Sequence, residues 1–413
     1  MEVFIKWMNE NFAPKMNKIT RNAWVSAIQD AIMAALPLIL VGSLITMISI
    51  LNNIFPKMPD FSPISSFSFG LFSIFIAFLT PYFIMEKKKK NDRKIISGLT
   101  GLCLFLILVM PTFSKDGATV KFIFERFGGN GMFVSLIVGI FVGAVMYLFS
   151  KFSFFKNSSS LPDFIIVWFD TVIPITILLL IGWLFSFQYH VDLYDLILKI
   201  FHPLSLIGQS FVGFVLFTFV CVFLYTLGIS PWALYPIIFP VWMAGIQANS
   251  DAVSHGLQPH NIHTFETLMG WVWIGGMGTT LPLVIMMLFL AKSKHLKAIG
   301  KVTIAPGIFN INEPVVFGAP IAFNPILMVP MWLNGLIVPA ITYIVLNLGA
   351  VTMPAKLFQL WYLPVGVSTF LVNSDFKGLI LLVVIIVISW LIWYPFFKVY
   401  DMQQMKKEAE IAD

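Results

Sequence analysis

Apolar residues follow one another along this chain in runs long enough to cross a hydrocarbon core of about 30 Å, which takes roughly 20 helical residues. Ten such runs can be marked off, near residues 24–50, 67–86, 95–110, 131–150, 164–188, 206–227, 231–246, 271–290, 321–347 and 377–398. The pattern predicts an all-α integral membrane protein of about ten transmembrane helices. Prolines interrupt several runs, as at Pro37, Pro174 and Pro330. Lipid tolerates such breaks only where neighbouring helices or water satisfy the freed carbonyls, so these helices are expected to line something. Two further stretches break the pattern. Thr303 to Pro320 carries Pro306, Gly307, Gly318 and Glu313, and Val351 to Val372 carries Pro354, Pro364 and Gly366. Both read as re-entrant hairpins, which survive at membrane depth only against protein or a water-filled cavity, and two in one chain point to a solute site.

The basic residues orient this layout, because Lys and Arg accumulate in cytoplasmic loops. With the N-terminus inside, the cytoplasmic loops hold Lys87 to Lys90, Arg93 and Lys94, then Lys151 and Lys156, then Lys292, Lys294, Lys297 and Lys301. Lys6, Lys15, Lys18 and Arg21 precede the first run, and Lys398, Lys406 and Lys407 follow the last. Both termini are thus expected in the cytoplasm of a bacterial-type cell. The net charge of +6 is accounted for by attraction to anionic lipid headgroups and needs no nucleic-acid partner.

Composition excludes the soluble alternative, since 58% hydrophobic and 11% charged residues leave too little polar surface to coat a globule of this length. Residues 1 to 21 read as a short amphipathic piece without the apolar core and cleavage site of a signal peptide. No linker or low-complexity tract interrupts the chain, so residues 1–413 are expected to form one membrane domain. Cys103 and Cys221 lie inside apolar runs and read as packing thiols, not as a disulfide or a metal site.

The candidate chemistry concentrates in the first hairpin, where Asn310, Asn312 and Glu313 fall within four residues of an otherwise apolar stretch. An ionisable residue inside a membrane costs about 2.5–3.5 kcal/mol on insertion scales and is a functional candidate by default. The flanking amides offer the mixture of donors and acceptors that a polyol needs, although a carboxylate could instead satisfy bent backbone. A second cluster reads LGISPWALYP, from Leu227 to Pro236, in which Ser230 caps a helix with Pro231 in its first turn or contacts a ligand. A third reads GGMGTTL, from Gly275 to Leu281, whose glycines permit close backbone approach and whose Thr279 and Thr280 supply hydroxyls; helix packing competes as an explanation. His255, His260 and His263 share a loop with Asp251 and Glu266. A metal is conceivable from the spacing, but solvated histidines in an extracytoplasmic loop are the preferred expectation.

At these motifs the chain resembles a known family. GIFNINEPVVFGAPIAFNP, from Gly307 to Pro325, is similar to the signature segment of the membrane permease component, component C, of bacterial sugar phosphotransferase systems of the lactose/cellobiose (diacetylchitobiose) type. The resemblance extends from KITRNAWVSAIQDAIMAALPLILVGS near the N-terminus to the last apolar run. It implies ten spans, two re-entrant hairpins, a homodimer and an elevator-like motion carrying a bound sugar inward. It also implies phosphorylation of that sugar by a separate component B bearing a phosphocysteine, itself charged by component A. Carried over by residue, the acidic member of the Asn-Glu-Pro motif is Glu313, which would help deprotonate a sugar hydroxyl. Asn312, Thr279, Thr280, Asn249 and Asn130 fall at matching places, and Trp361 resembles the hairpin tryptophan that would stack on a sugar face. Two stretches depart from the family: Gly228, Ile229, Ser230, Pro231 stands where many members read Gly-Ile-His-Gly, and Tyr362 and Leu363 replace the threonines after the tryptophan. No cofactor is expected. The rival reading is a proton-coupled secondary transporter with Glu313 as the proton carrier. A membrane transferase acting alone lacks a phosphate loop, paired metal carboxylates and a suitable phosphoryl-carrying cysteine.

Overall fold

A computed structural model describes residues 22–51, 59–153, 163–229, 234–319 and 321–412. Ser230 therefore lies outside the described residues, as do Pro231 and the four basic residues before the first helix. Among the described residues six helices are long and apolar enough to cross a membrane: Ala23–Ile45, Ser62–Lys87, Gly129–Phe149, Ile165–Gln188, Pro325–Asn347 and Phe376–Glu410. The pair Leu193–Gln209 and Phe211–Thr226 makes a seventh if it is one broken span. Of the other predicted runs, that near 231–246 forms the 20-residue helix Tyr235–Ser254, and the remaining two form shorter or irregular pieces. Lys94–Leu108 has 15 residues, and the run near 271–290 yields only Leu281–Phe289 as regular helix. A two-stranded antiparallel hairpin, Thr112 opposite Lys121 and Phe113 opposite Val120, is a small departure from an all-helical chain.

The chain divides into two compact units. The first comprises Ile19–Ser205 and Tyr235–Gln247. Here small residues let helix backbones approach closely, the usual packing device in lipid. A Cβ on Gly101 would lie 2.3 Å from the Ala77 carbonyl, and Cβ atoms on Gly139 and Gly143 would meet Thr80 at 2.5 Å and Ile84 at 2.6 Å. Phe72–Lys87 is thereby clasped between Lys94–Leu108 and Met132–Phe149. Serines and threonines on these helices turn back on their own backbone, as Ser97 Oγ does to Arg93 O at 2.8 Å and Thr100 Oγ1 to Ile96 O at 2.7 Å. Arg93, in the basic stretch expected to face the cytoplasm, is buried and paired with Asp170 at 3.0 Å. Arg126 donates two bonds to Asp192, at 2.6 and 3.2 Å, and lies over the Tyr194 ring.

The second unit comprises Leu206–Leu234 and Ala248–Asp413. Phe211–Thr226 packs on Pro325–Asn347, which packs on Phe376–Ala412. Ser210 caps the first of these through Gly213 N, and Asn324 caps the second through Ile326 N. At the other end of Phe376–Ala412, Asp401 accepts from the Lys292 and Ser293 amides, and Glu408 accepts from the Lys294 and His295 amides and the Ser293 hydroxyl. These carboxylates tie the start of Lys294–Ile308 to the last long helix and complement the positive end of its dipole.

Candidate functional site

The site is built where helices of the second unit stop. After the short turn Phe265–Thr267 the backbone widens over Leu268–Val272 and then leaves helical geometry, with Gly275, Gly276 and Gly278 at φ of 74°, 97° and 84°. Gly276 has a packing reason as well, since its Cβ would fall 2.4 Å from Asn312 Cγ. Thr279 follows at φ 54°, a conformation a β-branched residue adopts only under strong constraint. The constraint is visible. Thr279 O accepts from Ser389 Oγ at 3.1 Å and Trp393 Nε1 at 3.0 Å, and its hydroxyl donates to Val272 O at 2.7 Å. Thr280 donates to Gly275 O at 2.6 Å. Both threonine hydroxyl protons are thus committed to backbone, which leaves the oxygens as acceptors.

Lys294–Ile308 ends in a turn, and the short helix Glu313–Gly318 follows within the stretch read as the first hairpin. Asn310 occupies the turn at φ 60°. It bonds both sides of the site, accepting from Gly275 N at 2.9 Å and donating to Trp361 O at 3.3 Å. Asn312 donates to Met277 O at 2.7 Å and to Thr280 Oγ1 at 3.3 Å, and accepts from the Tyr225 hydroxyl at 3.3 Å. Asn310, Asn312, Thr279 and Thr280 are all buried. Glu313, in the first turn of its helix with Pro314 next, is exposed in this chain, and among the described residues no donor is bonded to its carboxylate. The amides beside it are immobilised while the carboxylate is open to a ligand.

The second hairpin lacks regular structure from Thr352 until Val367–Leu371. Its anchors are long-range. Val365 N donates to Ile308 O at 2.8 Å, joining it to the first hairpin. Asp375 accepts from the Thr352 amide and hydroxyl at 3.0 and 2.8 Å and from Lys377 N. Burial by itself would raise that carboxyl, but the Thr352 and Lys377 amides, the Thr352 hydroxyl and the Lys377 charge outweigh it and hold it below the usual carboxylate range. Trp361 is half-buried, edge-on to Tyr362 with ring centres 5.7 Å apart.

Asn249 has a different environment. Its Nδ2 donates to Asn261 O and Pro354 O, both at 2.8 Å, and its Oδ1 accepts from the backbone of His260 and Asn261 and the Asn261 amide, so the side chain is wholly engaged in holding loops. Asn130 belongs to the first unit, in the turn Gly129–Gly131. A Cβ on its neighbour Gly129 would lie 2.5 Å from Met243 O. Of the histidines, His255 and His260 are exposed as expected, but His263 is buried against Phe214 and Phe217 with Nδ1 donating to Gly208 O at 2.7 Å. Solvation of that third histidine is therefore corrected: two aromatic rings displace the water. No metal-binding cluster occurs among the described residues. A cavity of ≈ 530 Å³ opens between Gln258, Pro259, Thr352, Lys356, Asn373 and Ser374, and none of the sequence-predicted residues lines it.

Sequence reasoning missed three participants. Tyr225 lies in an apolar run and Gln359 in an irregular one, where nothing local marks them. Glu266 did carry a signal, a lone carboxylate opening the apolar stretch FETLMGWVW, but it was read only beside the histidines.

The chain is 27% identical to the oligo-beta-mannoside-specific EIIC component of the phosphotransferase system of Bacillus subtilis (strain 168), over 98% of this chain and 96% of that one. It is also 27% identical to the lactose-specific EIICB component of Staphylococcus epidermidis, covering 99% of this chain and 72% of the relative. The crystal structure of ChbC, the IIC component of the N,N'-diacetylchitobiose-specific system, superposes with a TM-score of 0.86 at 25% identity, over 98% of this chain and 99% of that one. The model of the family described as phosphotransferase system, EIIC matches residues 29–335, and on that match the chain belongs to the EIIC family of membrane permeases.

Proposed function

We propose that this chain is the translocating component of a phosphotransferase system for a β-linked disaccharide, a cellobiose- or lactose-like sugar, taken up from outside and presented to component B for phosphorylation. The observation that carries the reading is the contrast at the first hairpin. Asn310 and Asn312 are locked by five hydrogen bonds, while the adjoining Glu313 carboxylate has no donor among the described residues. A carboxylate held on a rigid frame and left open suits a group that orients a sugar hydroxyl and takes its proton as phosphorus is attacked. Trp361 supplies an aromatic face nearby in the network, and the Thr279 and Thr280 oxygens remain as acceptors. Asn249 and Asn130 act in this scheme by shaping the loops around the path, and Ser230 stands at the position of the family histidine.

The reading includes a bacterial cytoplasmic membrane with ten spans and both termini inside, two hairpins at membrane depth, a homodimer and an elevator-like carriage of the sugar. Residues 1–413 act in it as one permease domain, with A and B functions supplied by partners, the phosphoryl group arriving from a cysteine of B. The test is uptake of labelled cellobiose and lactose by vesicles supplied with the phosphoryl-donor chain. Phosphorylated sugar should accumulate inside, insensitive to an uncoupler. Accumulation of unmodified sugar that collapses with the uncoupler, without the donor chain, would establish the proton-coupled alternative instead.

A further inference from the structure

We propose that Glu266 is a positioning residue of the sugar site, acting through the second hairpin to hold Trp361 where a sugar ring meets it. The inference rests on the reading of Trp361 as a sugar-facing side chain. Glu266 is fully buried in the short turn Phe265–Thr267, which Thr264 caps. Its Oε1 accepts from Phe358 N at 3.0 Å and from Gln359 Nε2 at 2.9 Å, groups more than ninety residues away in the chain.

These bonds matter because the hairpin lacks a helical ladder there to satisfy its amides. From Gln359 the path to the site is short: Trp361 N donates to Gln359 O at 2.9 Å, and Trp361 O accepts from Asn310, whose other amide atom bonds Gly275. Glu266 thus fixes the residues immediately before Trp361, and Asn310 fixes Trp361 itself. An amide at position 266 would offer the same Oε1 acceptor without a buried charge. When ionised, the carboxylate gives both hairpin bonds charge assistance, roughly doubling their strength over neutral ones. It does so at a cost, because among the described residues Oε2 is buried without a hydrogen-bond partner within bonding distance. A group retained for stability alone gains nothing from an unmet buried acceptor, whereas one that must hold a mobile-by-composition hairpin rigid gains from the stronger pair of bonds.

The test uses the full-length protein in lipid nanodiscs and two readouts. Hydrogen exchange of the peptide spanning residues 352–366 should rise in Glu266→Gln while that of the helices Phe211–Thr226 and Pro325–Asn347 stays at the parental level; unchanged exchange in the hairpin would overturn the proposal. The second readout is a double-mutant cycle with labelled cellobiose. Glu266→Gln should weaken binding by about tenfold, within the range of ordinary site-to-site coupling, and by less than about twofold when Trp361 is already Ala. Equal losses in both backgrounds would mean that Glu266 does not act through Trp361. Trp361→Ala binding cellobiose as tightly as the parent would sink the sugar-facing reading of the tryptophan and leave the exchange result to judge the hairpin anchor separately. Should Glu266→Gln fail to fold, Gln359→Met removes one of the two bonds and carries the same cycle, with a smaller expected change in the same direction.

Discussion

The two units bury polar groups in different ways. Hydroxyls bond carbonyls one turn back on their own helix in both, as at Thr100 and Thr218, but in the first unit charges also meet in close buried pairs such as Arg93 with Asp170. In the second, Asn249, Glu266, Asn310 and Asn312 reach across dozens of residues to backbone where helices stop. The first manner stabilises regular helices without exposing anything. The second leaves carbonyls, amides and one carboxylate arranged around broken backbone, which is what a polar solute requires. Left-handed Thr279 and Asn310 belong to that second unit too, held by bonds from Ser389, Trp393, Gly275 and the Trp361 carbonyl.

The contrast is open to attack, and the largest effect is expected at Glu313. Glu313→Gln should lower phosphorylation of bound sugar by about 10²- to 10⁴-fold, as for loss of a general base. Sugar binding should fall less, because a neutral hydrogen bond replaces a charge-assisted one. Separate assays of binding and phosphotransfer check this, and a folded variant with parental phosphotransfer would remove Glu313 from the mechanism. Arg93→Met should act oppositely, costing about 3–5 kcal/mol of stability by leaving a buried charge unpaired, with sugar affinity unchanged in the folded fraction. Denaturation of the Arg93→Met/Asp170→Leu double variant should restore most of that loss.

Gly276→Ala should cost about 1–3 kcal/mol from its positive φ and the clash with Asn312. Since the displaced group is the site amide, loss of sugar affinity should exceed loss of thermal stability when both are measured. An equal effect on both would blur the distinction between units. Asp375→Asn is expected to do least, below about 1 kcal/mol for a largely exposed group. Because the folded carboxyl is held below its unfolded value near 3.9, its contribution is present at neutral pH and lost as pH falls through the folded value. The parent and variant melting curves should therefore differ slightly at pH 7 and converge in acid.

Much of the helical layout was legible in the run lengths. The segment read near 24–50 forms Ala23–Leu51, that near 131–150 forms Met132–Phe149, and that near 321–347 forms Pro325–Asn347. The segment near 271–290 was less so, because its apolar residues serve burial around a glycine-bent backbone, which hydropathy cannot distinguish from a span. The burial of Arg93 was not legible either, because its partner Asp170 is 77 residues away in the sequence.

Hydropathy and the Asn-Glu-Pro stretch by themselves marked this chain as a helical membrane protein and Glu313 as its candidate for chemistry, since length, charge and motif are local properties of a sequence. Tertiary structure decided which polar side chains are spent on backbone and which stay open. Asn249 and Asn312 carry the same amide, yet one is saturated by loops and the other bridges Tyr225, Met277 and Thr280. The role of Glu266 was likewise invisible in order of residues, because a hydrogen bond joins groups by distance in space, and its two partners lie on a hairpin at the far end of the same unit's sequence.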